Sequence, residues 1–86
     1  MSEDLSLESI EKKLTSEIAR ISGKNEQDLD PDQSLYSNGV NSMGFMELLL
    51  SVEKNWGIHL LKAGIHATDV KSIRALAESI RNHLAN

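Results

Sequence analysis

Ser42 stands where a stretch of turn-forming residues gives way to an unusually apolar one, in the order Gly39-Val40-Asn41-Ser42-Met43-Gly44-Phe45-Met46-Glu47-Leu48-Leu49-Leu50. A hydroxyl at a helix start is exposed, and an anion built on its oxygen would face unpaired backbone N–H groups and the positive end of the helix dipole. The position therefore favours a phosphodiester. It does not favour a self-sufficient nucleophile, because a serine hydroxyl needs a neighbouring base and the local sequence supplies none. Gly-Val-Asn-Ser-Met also lacks the glycine two places after serine that a Gly-x-Ser-x-Gly elbow requires. If Ser42 reacts, a separate transferase must modify it. His59, His66 and His83 lack the i, i+4 spacing that sets two imidazoles on one metal, and no cysteine completes a ligand set, so no metal site and no catalytic residue are expected.

The elements that must position this serine are helical. Leu7, Ile10, Leu14, Ile18 and Ile21 recur at steps of three and four, which predicts a first helix from near Ser6, its cap, to Ser22-Gly23, where glycine can close it. From Lys24 to Asn41 there is no period, and Asp28, Asp30, Pro31, Asp32, Ser34, Asn38 and Gly39 are turn formers or helix breakers. A long loop follows, with Leu29, Leu35, Tyr36 and Val40 spaced to pin it onto the core.

The second helix, Ser42 to about Trp56, carries two apolar stripes. At about 100° per residue, Phe45, Leu48, Leu49, Val52 and Trp56 fall in one arc, while Met43, Met46 and Leu50 cluster nearly opposite, beside Glu47, Glu53 and Lys54. The first stripe is expected to pack inward, with Trp56 as a plug closing the helix. The second is left over, and in so short a chain it suits a partner, methionine being flexible and polarizable enough to repack. Gly44 in the first turn costs roughly 1 kcal/mol relative to alanine. Either its missing side chain admits close approach by a ligand or a partner backbone, or it is merely tolerated near a helix end.

Leu60 to Val70 has room for one short helix and a turn at Gly64; Ser72 then caps a last helix whose stripe is Ile73, Leu76, Ala77, Ile80 and Leu84, with His83 near its C-terminus. No alternating run argues for a strand. The expectation is an all-α single domain over residues 1–86, core about 7–84, built as a four-helix bundle of three main helices plus one short helix.

Composition narrows the function. Residues 1–34 hold nine acids against four bases, and residues 35–86 four acids against five bases, so no positive field exists to displace counterions from nucleic acid. The longest apolar run is Leu48-Leu49-Leu50, far short of a membrane span, and the acidic amino terminus is unlike a secretory or mitochondrial leader. A soluble, cytoplasmic monomer is expected. With no cysteine in the chain, any thiol it uses must come from a cofactor.

The order Leu35, Gly39, Asn41-Ser42-Met43, Glu47-Leu48, Val52-Glu53 and Trp56-Gly57-Ile58 resembles acyl and peptidyl carrier proteins, over roughly residues 7–84. In that family an Asp-Ser-Leu triplet opens the second helix, and Leu-Glu and Phe-Gly-Ile follow at similar offsets. The resemblance implies a carrier-protein bundle with a long loop between helices one and two, and 4'-phosphopantetheine attached covalently to Ser42 between Asn41 and Met43. The arm's thiol would hold acyl or aminoacyl groups as thioesters. The implied partners are a phosphopantetheinyl transferase and the ligases and synthases that load and use the carrier, with catalysis in those enzymes. Ser42-Met43-Gly44 also resembles D-alanyl carrier proteins, which keeps an aminoacyl cargo open.

Two departures bear on partners. Asn41 replaces the family's usual aspartate, removing a carboxylate beside the serine, and Glu47 and Glu53 are offset by Lys54 and Lys62. Apolar docking through Met43, Met46 and Leu50, with Glu47 and Glu53 beside them, should therefore count for more than charge, as in a specialised carrier. The alternative is an unmodified helical interaction module using the Met43/Met46/Leu50 face.

Overall fold

The computed structural model describes residues 6–60, 62 and 70–85. Three α-helices and no strand are found among them: α1, Leu7–Ser22; α2, Ser42–Trp56; and α3, Ile73–Ala85. Each begins at a residue that supplies a side-chain oxygen to an orphan N–H, as helix starts require. Ser6 Oγ accepts from Ser9 N at 3.2 Å, Asn41 Oδ1 from Gly44 N at 2.8 Å and Ser72 Oγ from Ala75 N at 3.0 Å. The expected caps at Ser6 and Ser72 are thus in place, and α1 closes on a left-handed Gly23 whose N–H donates to Ala19 O.

The apolar stripes meet in one aliphatic core. Ile10, Leu14 and Ile18 of α1, Leu48 and Val52 of α2, and Ile73, Leu76 and Ile80 of α3 are all nearly or fully buried. Phe45, Leu49, Trp56, Ile21 and Leu84 pack against them, half-buried. Helix α1 packs on both α2 and α3. The short helix expected between Leu60 and Val70 lies mostly outside the described residues; Ile58, Leu60 and Val70 at its borders are buried.

Residues 24–41 contain a single 3-10 turn, Glu26–Asp28, and are otherwise irregular. What orders them is Asn38, which is 3% exposed. Its Oδ1 accepts from Asp30 N at 2.8 Å, and its Nδ2 donates to Asp30 O at 2.8 Å and Ser34 O at 3.1 Å. A buried amide is tolerated here because its bonds are made internally. Arg74 secures the outside of the same segment, donating from its backbone N to Pro31 O at 3.0 Å, pairing with Asp32 Oδ1 at 2.8 Å and reaching Glu11 Oε1 at 3.4 Å.

Leu29, Leu35 and Val40 anchor the segment to the core, but Tyr36 does not: it is 81% exposed. Its neighbours explain the difference. A turn closed by Asn38 N to Ser34 O and Val40 N to Leu35 O directs Leu35 and Val40 inward, and the intervening Tyr36 falls on the solvent side. The turn ends at Gly39, φ +92°, where a Cβ would sit 3.1 Å from Ser22 Cβ. Only glycine combines that dihedral with so close an approach, and the approach brings the start of α2 against the end of α1.

Candidate functional site

Asn41, not Ser42, is the N-cap of α2. Ser42 is the first residue inside the helix, its side chain exposed and its hydroxyl unengaged in any hydrogen bond within the described structure. The Gly44 N–H is taken by the Asn41 side chain and the Phe45 N–H by Asn41 O at 2.8 Å. The N–H groups of Ser42 and Met43 keep no internal partner, so a group added to the Ser42 oxygen would stand beside two free donors and the positive end of the helix.

Neither sequence-based explanation of Gly44 holds. The residue is buried, and a Cβ on it would lie 3.0 Å from Ile21 Cγ2 and 3.4 Å from both Val40 Cγ1 and Asn41 Oδ1. Glycine accommodates the close contact with Ile21 of α1 on the buried side of the helix.

Ser42 forms part of the wall of an open groove of about 620 Å³ between the Leu35–Val40 turn, the start of α2 and the approach to α3. Leu35, Tyr36, Val40, Phe45 and Met46 make it largely apolar, and Lys71 supplies its one cation among the described residues. No sequence pattern indicates Lys71, which lies 29 positions from Ser42 in a segment without periodicity. Tyr36, expected to pin the loop onto the core, instead lines this groove from an exposed position.

The leftover stripe of α2 faces solvent: Met43 is 80%, Met46 59% and Leu50 66% exposed. Met46 stands between the Ser42 groove and a second apolar hollow of about 260 Å³ that it shares with Leu49, Leu50, Glu53, His59 and Leu60. Leu50 in turn separates that hollow from a polar one between α1 and α2. The two acids near the stripe are divided by it. Glu47 lies in the polar hollow with Glu17, Arg20 and Lys54, whereas Glu53 Oε2 is 3.3 Å from His59 Nδ1 on the opposite flank. In the polar hollow the Arg20 guanidinium, 2.8 Å from Glu17 Oε2, holds the Glu17 carboxyl below its ordinary range, helped by Ser51 and Lys54 and opposed by partial burial. Glu17 in return raises Arg20.

No helix among the described residues is long and apolar enough to cross a membrane. Neither the curated proteins nor the solved structures include a match to this chain. The family model described as "Phosphopantetheine attachment site" matches residues 12–80, most of the chain, with Ser42 inside the matched span. Members of that family carry covalently attached 4'-phosphopantetheine on a serine. An exposed, unengaged hydroxyl at the first position of α2, with free backbone donors beside it and a groove opening from it, fits such a group. The chain therefore belongs to the phosphopantetheine attachment site family, the carrier domains to which its sequence bears resemblance.

Proposed function

We propose that Ser42 is the serine that bears 4'-phosphopantetheine, and that the chain is a discrete carrier presenting acyl or aminoacyl intermediates to the enzymes of a biosynthetic pathway. The observation that carries this reading is the division of labour between Asn41 and Ser42. Because Asn41 caps the helix, the Ser42 hydroxyl is released from any structural duty and left exposed. No histidine or carboxylate contacts that hydroxyl within the described structure, so its proton must be taken by a base of the transferase. Once attached, the arm supplies a thiol on which cargo is held as a thioester, a group the cysteine-free chain lacks.

Partners would meet the chain along α2, through Met43, Met46 and Leu50, with Glu47 and Glu53 on either flank. The exposure of three large apolar side chains on one ridge supports this role. The mixed charge of the flanks assigns affinity to apolar contact and leaves register to the acids.

Intact mass after incubation with coenzyme A and a broad-specificity phosphopantetheinyl transferase tests the proposal. The expected result is a gain of one phosphopantetheine unit, abolished by Ser42→Ala with helix content unchanged. Failure to gain mass with several transferases would leave the unmodified interaction module as the better reading.

A further inference from the structure

We propose that the groove lined by Ser42, Tyr36, Phe45 and Lys71 is the resting berth of the prosthetic arm, with the Lys71 ammonium drawn to the phosphodiester. The inference rests on Ser42 being the modified serine. Its volume, about 620 Å³, falls in the range of roughly 300–1,000 Å³ usual for small-molecule sites. Its chemistry also suits two parts of the arm. The arm begins with a phosphodiester anion, continues through a gem-dimethyl carbon and then presents two amides. For the phosphodiester the groove offers one cation without a carboxylate in its described wall, and for the gem-dimethyl group the apolar surfaces of Leu35, Tyr36, Phe45 and Met46. Lys71 is exposed and makes no ion pair among the described residues, so its charge is available. Tyr36, exposed on the rim, gains a surface to cover.

Met46 lines both this groove and the apolar hollow beside Leu50 and Glu53. A partner seated on the α2 ridge would therefore press on one wall of the berth, and docking and release of the arm would be coupled through that side chain. An exposed ion pair contributes little by itself, so the berth is left easily.

Amide chemical shifts of the apo and holo protein, the latter verified by intact mass, test the berth in wild type, Lys71→Gln and the control Lys54→Gln, whose side chain lies in the separate hollow between α1 and α2. The expected holo-minus-apo changes extend beyond Asn41–Met43 to Tyr36, Val70 and Lys71. They should shrink at least twofold at Val70 and Tyr36 in Lys71→Gln and in about 1 M salt, where the Debye length is about 3 Å, and persist in Lys54→Gln. Changes confined to Asn41–Met43, or an extended pattern indifferent to Lys71→Gln, overturn the berth while leaving Ser42 modification intact. Changes that appear only after the thiol is acylated assign the groove to cargo, and changes that grow with protein concentration assign it to a second copy; either overturns the berth. Absence of any mass gain removes the carrier reading and the berth together.

Discussion

Asn41 Oδ1 accepts the backbone N–H of Gly44 at 2.8 Å, so the residue before the candidate attachment serine carries the helix cap and the serine carries none of it. An aspartate would make the same bond with a full negative charge, which also favours a helix N-terminus. Asn41→Ala should lose about 1 kcal/mol of stability, read as a lower urea midpoint at unchanged slope. Asn41→Asp should hold or slightly raise the midpoint. Equal stability of all three proteins would mean that the cap bond contributes nothing to α2.

Gly44→Ala sets two effects against each other. In an open helix interior alanine would gain up to about 1 kcal/mol. Here its methyl meets Ile21 Cγ2 at 3.0 Å, with Val40 and the Asn41 cap oxygen at 3.4 Å. Isoleucine is stiff at χ1 and Val40 is buried, so the neighbours yield only by shifting α1 from α2. We expect a net loss of about 1 kcal/mol; a raised melting temperature would refute the close contact.

Met46→Glu and Leu50→Glu replace exposed side chains and should change stability by no more than about 0.5 kcal/mol. Each should nevertheless slow loading by a cognate enzyme about fivefold or more, the effect of about 1 kcal/mol at an interface. Circular dichroism and loading kinetics on the same samples decide the matter. Unfolding would place these residues in the core, and unchanged kinetics would remove them from the docking face.

Glu17 is held below its ordinary value of 4.5 chiefly by Arg20. A lowered folded value means that the unfolded chain binds the proton first, so this contribution is complete above about pH 4.5 and fades as pH falls through the lower folded value. Arg20→Gln should consequently narrow its stability deficit against wild type between pH 7 and pH 3. Parallel urea midpoints across that range would contradict the assignment.

Local rules made much of this molecule legible from the chain alone. The stripes of α1 and α3, the caps at Ser6 and Ser72 and the two faces of α2 follow from periodicities and hydrogen-bond deficits that act within a few residues. The motif around Ser42 likewise lies within one contiguous stretch. What the sequence left undecided depends on how an aperiodic loop closes on itself or on distant segments meeting. Asn38 looked like one more turn residue until folding surrounded its amide with three carbonyls and an N–H of its own loop. Tyr36 looked like an anchor, but the turn that turns Leu35 and Val40 inward turns it outward. Gly44 needed Ile21, 23 positions earlier, to explain it, and Lys71 shares a groove with Ser42 only because α3 packs on α1. Composition and period determine which face of a helix is apolar; only the tertiary packing determines what each face meets, because contact between remote residues has no local period to announce it.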